Sequence, residues 1–281
     1  MKKMYLLGIL AAFVLAGCSS AKPAESSSAD TSKAETTVVG ETTTAAVTDS
    51  KNTFTVGFDQ DFPPMGFVGD DGEFTGFDLE LAAEVAKRLG KEIKYQPIAW
   101  DAKDMELSSG TIDCIWNGFS IQGREDKYTW SKPYMNNEQV FVVKSDSSIE
   151  SIEDLAGKTV EVQADSSAEA ALKENTELAS TFGKLQTVAD YNTGFMDLDM
   201  GGVDAIAMDS VVANYQITKR GGEGFTVLDT PLSTEEYGIG FKLGNEALRD
   251  EVQKALDEMK ADGTMKTISE KWFGKDVTTL N

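Results

Sequence analysis

An α/β protein built as two lobes around a shared cleft is what the sequence predicts, on three observations. Strand and helix signals alternate through the folded region, as layered α/β domains require. The pattern L-x-x-G-x-[Ile/Val]-D-x-I occurs twice, as LSSGTIDCI from Leu107 and LDMGGVDAI from Leu198. About 230 residues follow a polar leader, enough to bury one large core or two smaller ones.

TFTVGF (53–58) reads as a strand. FDLELAAEVAKRLG carries Phe77, Leu81, Val85 and Leu89 at four-residue spacing, with Asp78 as a cap and Gly90 as a stop, which predicts a helix. EIKYQPI is a strand again, and TIDCIW places Cys114 as a small buried hydrophobe. TVEVQA leads into DSSAEAALKEN, where Ser166 and Glu169 have capping-box spacing. Leu248, Val252, Ala255, Leu256 and Met259 form one helical face closed by Gly263.

Each copy of the repeat reads as a helix end, a glycine break and a short buried strand. Ligands of open α/β sheets sit beyond the carboxyl ends of such strands. The first runs into Gly118, Ser120 and Arg124, and the second into Asp209. One lobe thus offers a cation and the other an anion.

Residues 1–17 join Lys2 and Lys3 to the apolar run YLLGILAAFVLAG, an export signal too short to span a bilayer comfortably. From Ser19 to Lys51, 20 of 33 residues are Ser, Thr or Ala, so residues 18–51 are expected to form a flexible leash. Removal of Lys2 and Lys3 leaves 24 basic against 47 acidic residues, a net charge of −23. That surface repels nucleic acid and anionic headgroups. The chain has no histidine, which excludes Ser-His-Asp and Cys-His catalytic groups and argues against zinc or haem. Cys18 aside, only Cys114 remains, so no intrachain disulfide is expected. No cofactor or metal is implied.

LAGC resembles the lipobox of bacterial lipoproteins, with Cys18 as the lipid-bearing residue. The region from Asn52 to Gly274 resembles bacterial extracellular solute-binding proteins of family 3, which serve polar amino-acid ABC transporters. GFDQDFPPMGF, GFDLELAAEVAKRLG, LSSGTIDCIWNGFSI, Arg124 followed by WSKPY, VEVQADSSAEAAL and GGVDAIAMD carry the likeness. It implies a periplasmic-binding-protein type II fold, with residues 52–135 and 236–281 as one lobe and 136–235 as the other. It also implies a monomer held by lipid on the extracytoplasmic face, closing by hinge motion on a free polar L-amino acid for delivery to a membrane permease.

The resemblance further assigns roles. Arg124 would fork onto the ligand carboxylate, with Ser120 as hydroxyl donor and Ser167 at a helix start. Asp209 would hold the ammonium. Phe62 and Trp100 would sandwich the side chain and Asp59 would select it, leaning toward basic residues, glutamine or cystine. Three departures stand out. Only four steps separate Ser120 from Arg124, with Gly123 to absorb the shortening in a turn. Asp165 replaces a usual glycine and is expected to face away as a helix cap. Phe62 replaces a frequent tyrosine. Two rival classes remain: a dehydratase acting on cyclic prephenate-like acids, against which the sequence shows no paired-acid motif, and a sensor without transport.

Overall fold

The computed structural model describes residues 52–280. The expectations for residues 1–17 and 18–51, Cys18 included, lie outside them.

The chain forms β1 (Thr53–Phe58), a small meander of β2 (Asp61–Phe62), β3 (Gly66–Val68) and β4 (Phe74–Thr75), α1 (Phe77–Arg88), β5 (Glu92–Pro97), α2 (Lys103–Ser109) and β6 (Cys114–Ser120). β7 (Tyr128–Trp130) and the ten-residue β8 (Met135–Lys144) follow. The next stretch holds β9 (Thr159–Gln163), α3 (Ser167–Glu174), α4 (Thr176–Ala179), β10 (Lys184–Val188), α5 (Tyr191–Asp199), β11 (Ala205–Asp209), α6 (Ser210–Lys219) and β12 (Phe225–Val227). β13 (Ser233–Lys242), α7 (Glu246–Ala261) and α8 (Thr264–Phe273) close the chain.

One sheet runs β10-β9-β11-β8-β13-β6-β1-β5. Its halves repeat one design: β1 lies between parallel β5 and β6, and β9 between parallel β10 and β11. Each half is completed by an antiparallel strand, β13 beside β6 and β8 beside β11. β8 and β13 pair with each other over Met135–Gln139 and Ser233–Tyr237, then diverge into opposite halves. The expected boundaries at 135/136 and 235/236 fall inside this paired stretch.

The sequence repeat carries a matching hydrogen-bond device. Asp113 accepts the Thr55 N–H at 2.8 Å and returns its own N–H to Thr55 O at 2.8 Å. Asp204 does the same with Thr159, at 2.8 and 2.9 Å. Each aspartate pins a β6- or β11-type strand to the neighbouring strand, which explains why the motif is L-x-x-G-x-[Ile/Val]-D-x-I.

Most local expectations hold. The α7 face of Leu248, Val252, Ala255, Leu256 and Met259 is buried, and so is Cys114. Asp78 is a correction: Gly76 precedes α1 without a side-chain cap, and Asp78 is instead fully buried. The capping box is half formed. Ser166 accepts the Glu169 N–H at 3.1 Å, but the Glu169 carboxylate takes the Asp165 N–H rather than that of Ser166.

Candidate ligand cleft

The site begins with a bulge. The register of β6 against β13 shifts between Gly238, opposite Phe119, and Gly240, opposite Ile115. A bulge leaves ladder groups unpaired and re-aims the strand. Gly118 absorbs it at φ 57°, and a Cβ there would meet the Phe62 and Tyr237 rings at 3.0 and 3.1 Å. Its N–H goes to Asp78 Oδ2 at 2.6 Å, an oxygen that also accepts the Tyr134 hydroxyl at 2.9 Å. Burial raises the Asp78 carboxyl to about 7, against the opposing pull of these donors.

Phe62, Trp100, Gly118, Ser167 and Asp209 line one small cavity at the ends of β6, β9 and β11, with Asn117, Gln163 and Ser166. The cavity is nearly filled by these side chains, with a free volume of about 10 Å³. Trp100 also walls a second space of about 410 Å³, which Asp59, Asp61, Asp101 and Asp190 border. The three side-chain selectors expected from sequence are therefore divided: Phe62 faces the inner cavity, Asp59 the acidic outer one, and Trp100 both.

Arg124 is buried over the Phe119 ring, 5.3 Å from its centroid. Its guanidinium donates to Ser167 Oγ at 2.7 Å and to the Asp165 carbonyl at 3.1 Å. Gly123, at φ 76°, supplies the turn that the shortened spacing demanded. Ser120 lies buried with an Oγ that has no hydrogen-bond partner among the described residues. Ser167 opens α3, with Ser166 as its N-cap.

Asp165 does not face away. It sits at φ 58°, and its carboxylate pairs across the cleft with Lys103, a side chain 1% exposed that lies 5.0 Å from the Trp100 ring centroid. Burial lowers the Lys103 ammonium pKa, and Asp165 opposes that shift. Asp59 also bridges the cleft, accepting Gln163 Nε2 at 2.7 Å. Burial raises its carboxyl to about 6.

Asp209 is buried at the end of β11. Its Oδ1 accepts Asn137 Nδ2 at 2.8 Å, Gln139 Nε2 at 2.9 Å and the Tyr237 hydroxyl at 2.7 Å. The same two amides bond to Glu235 Oε1 at 2.6 and 2.7 Å. The sequence showed no paired acids; the fold makes a pair. Burial, then the Glu235 charge, pushes the Asp209 carboxyl well above the usual carboxylate range.

Sequence reasoning missed Asp78, Asn117, Gln163, Tyr191 and Glu235. Asn117 Nδ2 and the Tyr191 hydroxyl join Ser120 Oγ as fully enclosed polar atoms without partners among the described residues. Native folds rarely leave such groups orphaned; of these three, Asn117 lines the inner cavity and Tyr191 packs against its Phe62 wall. Gln163 alone carried a sequence signal, as the polar residue closing the buried strand β9.

A cleft between matched α/β halves, with a buried guanidinium from one and a buried carboxylate from the other, defines a binding protein for small polar solutes. The sequence profile of bacterial extracellular solute-binding proteins, family 3, matches residues 54–275, and the chain belongs to that family. The profile of the prokaryotic membrane lipoprotein lipid attachment site matches residues 1–19, a stretch that includes Cys18, and the protein is lipid-anchored on the extracytoplasmic side of a membrane. L-cystine-binding protein TcyJ of Escherichia coli (strain K12) is 36% identical over 231 residues, 81% of this chain and 85% of TcyJ. An ABC uptake transporter substrate-binding protein from Streptococcus pneumoniae, solved with bound histidine, superposes with a TM-score of 0.78 at 38% identity, over 81% of this chain and 95% of that one. The ancestral amino acid-binding protein AncCDT-1, a precursor of cyclohexadienyl dehydratase, gives a TM-score of 0.72 at 33% identity, over 79% and 96%.

Proposed function

We propose that this protein captures a free polar L-amino acid outside the cell membrane and hands it to an ABC permease. The observation that carries the reading is a buried guanidinium and a buried acid at one small cavity: Arg124 reaches it through its bond to Ser167, and Asp209 lines it. In this reading Arg124, Ser120 and Ser167 hold the ligand carboxylate and Asp209 its ammonium. Asp59, Phe62 and Trp100 choose the side chain, leaning toward basic amino acids, with glutamine and cystine next. Residues 52–135 with 236–281 and residues 136–235 act as two lobes that part about β8 and β13. The bonds from Arg124 to Ser167 and from Gln163 to Asp59 use atoms the ligand needs, so entry requires that parting. Cys18 carries the lipid, and the monomer needs no cofactor.

Thermal melting against a panel of amino acids tests the reading. A ligand at a thousandfold over Kd stabilises by about 4 kcal/mol, a rise of roughly 8–16 °C at this size. A panel in which no amino acid raises the Tm removes it.

A second reading, an acid-catalysed dehydratase, is favoured by one observation, the buried pair of Asp209 and Glu235. It predicts turnover of prephenate-like acids, whereas the transport reading predicts none.

A further inference from the structure

Asp209 and Glu235 stand at the back of the cleft and share both amide donors, those of Asn137 and Gln139. The groups that face them from packed elements are Tyr237 of β13, with Tyr134 behind it, Tyr191 of α5, Ser210 of α6 and Asp59 beyond β1. Among the described residues no lysine or arginine forms an ion pair with either acid. Two carboxylates held on the same two amides and without a cation repel strongly unless one of them carries a proton. The surroundings also hold more polar capacity than the chain uses. Gln139 Oε1 has no partner among the described residues, and Asp209 is the strongest charge acting on the fully buried Tyr191 hydroxyl.

We infer that Glu235 is a positioning residue of the ammonium subsite: held on the same two amides, its charge keeps a proton on Asp209, and the ligand's α-ammonium displaces that proton on arrival. The inference rests on the amino-acid reading above. The ammonium keeps its three protons. The acid pair passes from one proton and one negative charge to no proton and two, and the proton leaves to water. An exit exists with the cleft shut, because Asp209 lines the ligand cavity whereas Glu235 lines a separate crevice of about 600 Å³ beside Gln122, Asn136 and Glu138. The exchange makes the site selective for amines. An α-keto or α-hydroxy acid brings no cation to replace the proton, so it gains nothing from the acid pair and keeps only its contacts at the Arg124 end.

Isothermal titration of the purified chain with L-arginine, L-histidine, L-glutamine and L-cystine, at pH 7.5 in buffers of different ionisation enthalpy, counts the protons. That pH lies above the range in which Asp59, at about 6, titrates, and Asp78, at about 7, gives a background common to the native protein and the Glu235 variant. The expected result is release approaching one proton per ligand, with affinity rising by up to ~tenfold per pH unit between pH 6.5 and 8. Glu235→Gln keeps an acceptor for both amides and is expected to bind with no proton release and a flat pH profile. A binding heat in the native protein that does not vary with buffer overturns the inference, and so does undiminished release by Glu235→Gln. Should that variant fail to fold, the native measurement decides alone. If none of the four ligands binds, the amino-acid reading falls and takes this inference with it; binding without proton release leaves that reading standing.

Discussion

The carboxylate of Asp78, on α1, accepts the backbone N–H of Gly118 at 2.6 Å and so holds the β6 bulge from which the ligand cleft is built. The acid is fully buried, and burial raises it to about 7. Its folded-state pKa lies above its unfolded value of 3.8, so the native state binds the extra proton. The associated stability is complete below about pH 4 and is lost as pH rises through about 7. The expected loss is on the order of 4 kcal/mol. Asp78→Asn stays neutral at every pH and keeps an acceptor for Gly118. Urea denaturation at pH 4.5, 6 and 7.5 should show a fall in stability across this range that is smaller in the variant by about 3 kcal/mol; an identical fall would refute the assignment.

Arg124 and Asp59 should fail in different ways. A guanidinium that grips the carboxylate serves every amino acid, so Arg124→Ala should abolish melting shifts across the panel. Losing a buried charge partner of this kind costs about 2–5 kcal/mol. Asp59 borders the outer acidic space, and Asp59→Ala should reorder the ligands, lowering the basic ones most. Normal binding by Arg124→Ala would show that the carboxylate site lies elsewhere.

The Lys103–Asp165 pair is asymmetric: the lysine is 1% exposed, while the Asp165 side chain is 55% exposed. Asp165→Asn keeps a residue that tolerates positive φ, yet leaves a buried ammonium without its counter-charge. Lys103→Met leaves only a hydrated carboxylate. Asp165→Asn should therefore destabilise the protein more, by about 1–2 kcal/mol, an order that chemical denaturation of the two variants checks.

Asp113 and Asp204 occupy equivalent places in the two halves and have no partner in common in their strand-pinning bonds. Asp113→Ala and Asp204→Ala should each cost about 1–3 kcal/mol, because each orphans a threonine N–H. The double variant should cost their sum to within about 0.5 kcal/mol. A clear departure from additivity would mean that the halves do not behave as separate copies of one design.

Local chemistry wrote much of this protein into its sequence. Periodicity gave α1 and α7, glycine placed the turn at Gly123, and the repeated motif gave two halves whose strand ends meet at the cleft. These follow from interactions within a few residues, which a linear pattern records. The site's second layer was not written there. Asp78 looked like a helix cap because its partner, Gly118, is forty positions away, and only the bulge makes that N–H available. Asp165 looked like a cap for the same reason, its partner Lys103 lying on the far wall. Asp209 and Glu235 became a pair only because β8 crosses between β11 and β13 and offers the same two amides to both acids. Charges far apart in the chain acquire their protonation and their roles from the distance and dielectric that the fold imposes, and no run of neighbouring residues encodes either.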